Sequence, residues 1–382
     1  MANTLTSLIP DLYEAVDVVS RELVGFIPSV TLLPSAERAS VGQNIRSFVT
    51  PAAAAEDVSP GQLPPDDGDQ SIGNIPLTIS KSRAVPFRWS GEEQKGLNTG
   101  PGYANVRRDQ IAQAFRTLTN EIEVFVGNLA VSASRAYGTA GTTPFASDLS
   151  DPAQVRKILA DNGAPMSDLN MVIDTSAGAK LRSLGQLTKA NEAGTILLRE
   201  QGVLLNLDNF TIRESAGVQT LAAGSVTGTV TASGAKGATS ITLTTAAGAA
   251  VAILAGDIVL FAGDANKYVA AAACTIGAST TGTLTLANPG LRTTLASAAV
   301  SVAATSTRNM AFSRNALVVA TRAPALPEEG DMADDRVMIV DPRSGLAFEV
   351  AMYKLYRRVR YEVSLAYGAA CMKTEHLAIL LG

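Results

Sequence analysis

A chain of 382 residues with 46% apolar side chains can bury more than one hydrophobic core, so two or three structural units are expected. A formal charge of −4 argues against a whole-surface footprint on nucleic acid, which calls for a basic face. Cys274 and Cys371 stand far apart with no second thiol near either, so disulfide frameworks and cysteine-based zinc sites are not expected, and two reduced, packed thiols are.

Met1 to Ala15 lacks the basic start and long apolar run of a secretory signal. Leu12, Ala15, Val16, Val19 and Leu23 share one helical face, which predicts an amphipathic arm that must dock on its own chain, a neighbour or a partner. Next, Ile45, Ser47 and Val49 alternate as a strand does, and so do Ile75, Leu77 and Ile79. The stretch between them is crowded with Pro, Ala, Asp and Gly and includes Asp66 and Asp67. A long two-stranded ribbon with an acidic tip, supported by a neighbouring subunit, is expected; a disordered surface loop is the alternative.

From about Tyr103 to Tyr137, Ile111, Phe115, Leu118, Ile122, Phe125 and Leu129 recur at steps of four and three, the spacing of one helical stripe. Asn105 is read as its N-cap and Gly138 as the residue that ends it, giving a rod of roughly 50 Å at ~1.5 Å per residue. Arg107, Arg108, Arg116, Glu121 and Glu123 are placed on its wet faces, so the helix is expected to lie along a sheet. Asp151 and Pro152 start a second helix, Leu169 to Ile173 reads as a buried strand, and Thr175 or Ser176 caps a third helix. These make a compact α/β unit, which Val203 to Leu207 and Phe210 to Arg213 extend with strand-like runs.

At Ala222 the composition turns to Ala, Gly, Thr, Ser and Val, and remains so to about Ser306. Six period-two runs predict a small all-β barrel or sandwich, with Ile241, Leu243, Ile258, Leu260, Leu284 and Leu286 as its core. Helical signals return at Asn315 to Thr321, so this module is read as an insertion into the α/β unit. Val337 to Val340 and Leu346 to Tyr353 predict a hairpin, and the alternation from Leu355 to Ser364 gives one apolar face for the long helix to cover.

Equipment for catalysis is sparse. His376 is the one histidine, no nucleophile-elbow or phosphate-binding glycine loop is present, and no cofactor or metal site is expected. The acidic clusters at Asp66, Asp67 and Asp69, and at Glu328, Glu329, Asp331, Asp334 and Asp335, read as solvated loop charges rather than a calcium loop. Arg357, Arg358 and Arg360 read as partners for cross-strand or intersubunit carboxylates.

Gln113 to Glu121, the run Ser134 to Phe145, and the stretch Asn309 to Pro327 resemble the spine-helix region, and the return from an inserted telokin-like β-barrel, of coat proteins of short-tailed bacteriophages. The order of arm, loop, spine, apical unit, insertion and sheet resembles the same family. The resemblance implies an α+β tailed-phage capsid fold with an N-terminal arm (1–41) and an extended loop (42–89). A peripheral domain would take 90–144 and 332–365, and an apical domain 145–221, 307–331 and 366–382, interrupted by an inserted six-stranded domain (222–306). It further implies a major capsid protein, not an enzyme, forming pentamers and hexamers of an icosahedral shell around double-stranded DNA. A scaffolding protein and a portal would be its partners, with assembly in the host bacterial cytoplasm and no membrane involved. Within that reading Asp66, Asp67, Arg357, Arg358 and Arg360 are the assembly residues. The low charge of the insertion departs from relatives that use intersubunit salt bridges there. A secreted or surface-anchored adhesive β-rich protein is the alternative that the Thr/Ala/Gly-rich module suggests.

Overall fold

The computed structural model describes residues 24–49, 60, 72–97, 103–188, 206–340 and 345–382; the arm helix expected from Leu12 to Leu23 and the stretch holding Asp66 and Asp67 lie outside them. The fold is α+β. One long helix accompanies a six-stranded sheet, a thirteen-stranded sheet and two small sheets of three and two strands.

The long helix covers Tyr103–Gly127, 25 residues, or roughly 37 Å at ~1.5 Å per residue. It is shorter than the expected rod because the chain changes geometry at Gly127, where the backbone of Gly217 crosses so closely that a Cβ would have no room. A 3-10 turn, Asn128–Ser132, and a short strand, Arg135–Tyr137, follow. Gly138, expected as the helix cap, instead turns the chain after that strand, with φ 92.

Ile111, Phe115, Leu118 and Ile122 are buried in one core with Phe348, Val350, Met352, Tyr361, Val363 and Leu365. The Phe115 ring meets Phe348 edge-on at 4.8 Å, and Phe125 meets Tyr367 at 5.4 Å. Each of the four stripe residues buried here contributes about 1.5–3 kcal/mol, an upper figure because the unfolded chain is itself partly collapsed.

The sheet under the helix draws on both ends of the chain. Its longest strand, Arg358–Cys371, pairs antiparallel with Lys81–Ser90, Ala347–Leu355 and Leu317–Pro324. Thr31–Ala39 adds a parallel strand on Leu317–Pro324, and Ala333–Val340 borders Ala347–Leu355. Two expectations change here. Residues 31–39, read as arm, are a strand of this sheet, and Asn315 to Thr321, read as helical, is a 3-10 turn at Arg314–Ala316 followed by the strand Leu317–Pro324. The β-branched Val318, Val319 and Thr321 suit a pleated, buried surface better than a helix.

A second core lies between helices Ser150–Asp161 and Thr175–Ser183 and the strands Leu169–Ile173, Phe210–Glu214 and Leu377–Leu381. Asp174, rather than Thr175 or Ser176, caps the second of these helices: its carboxylate accepts from the Ser176 and Ala177 amides at 3.2 and 3.1 Å.

Residues 225–302 form nine strands where six were expected. The apolar run Ala246 to Ala255 holds one of the additional strands, Ala250–Ile253, which pairs with Ser225–Thr227 and Cys274–Ile276 as a separate three-stranded sheet. Of the expected core, Ile241, Leu243, Leu284 and Leu286 pack together, Ile258 belongs to the core under the long helix, and Leu260 is half-buried. The module is also not a closed barrel. Lys267–Val269 pairs antiparallel with Arg135–Tyr137, which pairs parallel with Leu377–Leu381, so its strands run on into the sheet of the α/β unit.

Candidate assembly surfaces

The ribbon is present as Asn44–Val49 against Gly73–Thr78, in register from Asn44 opposite Thr78 to Val49 opposite Gly73. Its base is anchored. Ile45, Ile75 and Leu77 pack with Ile79, Val318, Ala366 and Met372. Toward its far end Phe48 is 82% exposed and Ile72 66%.

The end of the main sheet offers a second exposed surface. Between Ala347–Leu355 and Arg358–Cys371 the chain turns through Tyr356, 87% exposed, and Arg357, which takes φ 57. The Arg357 guanidinium lies 5.7 Å from the Tyr356 ring. Trp89, Gly91, Leu355, Tyr356, Arg357 and Arg358 line an open groove of about 980 Å³ here. One wall is fixed by a reciprocal cap, in which the Ser90 amide donates to Glu93 Oε2 at 2.7 Å and the Glu93 amide donates to Ser90 Oγ at 3.3 Å. The bond from the Ser90 amide, and after it the Ser90 hydroxyl, holds the Glu93 carboxyl below its ordinary pKa.

The three arginines therefore separate. Arg357 and Arg358 belong to the groove, whereas Arg360 is turned to Glu362 at 2.5 Å and lies over Tyr353. The acidic group at 331–335 is also more engaged than the solvated loop expected: Asp331 pairs with Arg336 and accepts from Tyr353 at 3.0 Å, and Asp334 meets Lys354 at 2.7 Å. Within the helix stripe, Phe125 and Leu129 are half-buried, Leu129 because it falls in the 3-10 turn beyond the helix end.

On the wet face, Glu121 accepts from Arg83 at 2.7 Å and lies 3.4 Å from Lys81. Burial pushes its carboxyl up, but the hydrogen bonds and charge of its neighbours, Arg83 first and then Tyr367 and Lys81, together outweigh that and hold it below its ordinary value. Glu123 does not share that face; it is buried at 3% exposure.

Where the inserted module meets the α/β unit, Arg135 is the common partner. Its guanidinium donates to Asn266 Oδ1 at 3.0 Å, Asn162 Oδ1 at 2.9 Å and the Ile158 carbonyl at 3.2 Å, with Asp161 at 3.6 Å. Lys267 Nζ donates to the Gly138 carbonyl close by. Arg135 falls in the stretch read as helix, up to Tyr137, and a lone arginine there carries no spacing signal for this role; it lies instead on a short strand. The Ser90 and Glu93 cap was visible as the S-x-x-E pattern but was not singled out.

Little of this surface is chemically poised. Burial pushes the Cys371 thiol up to about 12 and raises Cys274 as well, which leaves both protonated, and burial with the Lys373 charge lowers His376. Among the described residues no three His, Cys, Asp or Glu side chains are grouped to hold a metal, and no helix is long and apolar enough to cross a membrane.

No protein-family profile matches the chain, and no curated protein matches it in sequence. Many solved structures are similar in shape. One from Mycobacterium phage Che8 shares 13% identity over 89% of this chain and 84% of its own, at a TM-score of 0.49. The capsid structure of Cyanophage P-SCSP1u shares 10% over 92% and 86%, at 0.48, and a virus-like particle from Pyrococcus furiosus 9% over 98% and 100%, at 0.45. At such scores what the chain does has to follow from its own surfaces.

Proposed function

We propose that this chain is the major capsid protein of a tailed bacteriophage, a structural subunit that closes into pentamers and hexamers of an icosahedral shell around double-stranded DNA. The observation that carries this reading is the ribbon. Beyond its packed base its two strands pair with no third strand among the described residues, Phe48 near their far end is exposed, and a hairpin standing alone is at best marginally stable in water. A second copy supplies the missing support.

In this reading the groove beside Tyr356 receives a neighbour, with Arg357 and Arg358 facing acidic partners such as Asp66 and Asp67, and Arg360 holding its own sheet through Glu362. Each such contact is modest, but a closed lattice engages every subunit on several sides at once. The division into arm (1–41), extended loop (42–89), peripheral, apical and inserted units belongs to the same proposal, with residues 31–39 serving the peripheral sheet as well as the arm. So do a scaffolding protein and a portal as partners, assembly in the bacterial cytoplasm, and a role that needs no catalysis.

Electron microscopy of the expressed protein, alone and with a scaffolding protein, tests it: hollow shells of uniform size are expected. A monodisperse monomer under every assembly condition overturns it.

A further inference from the structure

Glu123 is a buried carboxylate that sits among neutral donors. Its Oε2 accepts from the Phe26 amide at 3.0 Å and from Ser215 Oγ at 2.9 Å, and its Oε1 accepts from the Ile27 amide at 3.1 Å. Three distant segments are thereby joined: the first described residues, the end of the long helix, and the strap leading to the inserted module. Their backbones touch at glycines. A Cβ on Gly217 would lie 2.9 Å from the Glu123 carbonyl carbon, and one on Gly25 would lie 2.7 Å from the Glu214 oxygen.

The amides of Phe26 and Ile27 open the 3-10 turn Ile27–Ser29, whose own N-cap residue, Phe26, offers no side-chain bond. Glu123 takes that part from 96 residues away. Phe26, Ile27 and Val30 are fully buried in the main core, so the turn and the carboxylate are sealed in together.

Among the described residues no cation is paired with it. Residues 24–30 contain no ionisable side chain. On the strap and its strand, Arg213 donates to Ser29 Oγ and Asn170 Oδ1, and Glu214 is taken by Arg182. On its own helix, Glu121 is engaged with Arg83. The strand Leu169–Ile173 and the turn Asn128–Ser132 carry no ionisable group.

We propose that Glu123 makes the seating of residues 24–30 on the long helix proton-linked, a catch that tightens in acid and loosens as pH rises. Sealing an anion away from water disfavours the charged form, and three neutral hydrogen bonds offset only part of that, so the carboxyl lies above its ordinary value. Seated, the group therefore binds a proton more readily than it does in water. Its stabilising contribution is complete below the unfolded pKa and is lost as pH rises through the folded one. In the protonated form Oε2–H donates to Ser215 Oγ, a neutral bond weaker than the charge-assisted one it replaces, so Ser215 still favours the ionised form on balance, while the Ile27 amide stays on Oε1. The inference concerns the single subunit and does not rest on the capsid reading.

Hydrogen exchange of the full chain tests it, followed in the peptide Phe26 to Val30 and corrected for the intrinsic amide rate, from about pH 5 to about pH 8. Protection in the wild type is expected to fall several-fold across that range, with a peptide from Arg358–Cys371 unchanged. Glu123→Gln is expected to flatten the dependence. Ser215→Ala removes a hydrogen bond that lowers the Glu123 pKa, so it is expected to move the loss of protection to higher pH. Parallel profiles for wild type and Glu123→Gln, protection that grows with pH, or a Ser215→Ala profile unmoved or moved to lower pH each overturn the proposal. Should Glu123→Gln fail to fold, Ser215→Ala decides alone.

Discussion

The unit formed by the long helix and its sheet and the inserted module are both well-filled cores, but they are filled differently. The first uses large side chains, with Phe115, Phe348, Tyr361 and Tyr367 meeting under the helix. The second uses mainly aliphatic ones on alternating strands. In Ser240–Thr245, Ile241, Leu243 and Thr245 point inward and their neighbours outward, and even the buried Thr245 hydroxyl is satisfied, donating to the Gly277 carbonyl at 2.6 Å. Where large rings interlock, one side chain carries a large share of the stability. Where short strands and turns carry it, the load is spread over backbone hydrogen bonds.

The first way to break that contrast is at Phe115. Phe115→Ala should lower stability by about 3–5 kcal/mol, and Phe115→Asp, which also buries an unpaired charge, should leave no folded subunit. Denaturant unfolding of the first and circular dichroism of the second check this. A loss from Phe115→Ala no larger than that from Ile241→Ala in the inserted module would remove the distinction.

Between the two regions the decisive contact is polar. Arg135→Met leaves Asn266, Asn162 and the Ile158 carbonyl short of a charged donor and should cost about 3 kcal/mol, with the inserted module becoming protease-sensitive before the helix unit. Simultaneous loss of both regions in limited proteolysis would mean that Arg135 is not their hinge point.

Arg308 shifts stability the other way. It is fully buried on the strand Ser306–Ser313, and its three guanidinium nitrogens find no hydrogen-bond partner among the described residues. Burial pushes its pKa down, and the Asp257 carboxylate offsets that only in part. Replacing such a group with an apolar side chain of similar length removes an uncompensated buried charge, so Arg308→Met should stabilise the subunit by about 1–2 kcal/mol, read as a higher Tm. A lower Tm would mean that Asp257 or a bound water already satisfies it.

The contrast also decides what could be read from sequence. The helix stripe was legible because four large residues repeat at the helical period, and the ribbon because Ile45 and Ile75 alternate beside prolines and glycines. The inserted module was legible as β by composition but not in its strand number. Small residues such as those of Ala250–Ile253 read equally as strand or loop, and the pairing of Lys267 and Tyr268 with Ala136 and Arg135 joins positions more than a hundred residues apart. Glu123 was misplaced for a related reason. A helical wheel puts it among charges, and only the arrival of Phe26 and Ser215 from elsewhere in the chain makes that position an interior one.

The smallest effect on the subunit and the largest on its assembly should come from one side chain, Tyr356. At 87% exposure it buries almost nothing within the chain, so Tyr356→Ser should change subunit stability by no more than about 0.5 kcal/mol. If the groove it borders is where a neighbour sits, an aromatic anchor at the centre of that contact is worth roughly 2 kcal/mol or more. Because each subunit makes the contact repeatedly in a closed shell, the loss multiplies, and the concentration needed for assembly should rise steeply. Unfolding curves and sedimentation of the same variant separate the two readouts. An unchanged assembly threshold would place the intersubunit contact elsewhere, with the ribbon end at Phe48, 82% exposed, the next surface to test.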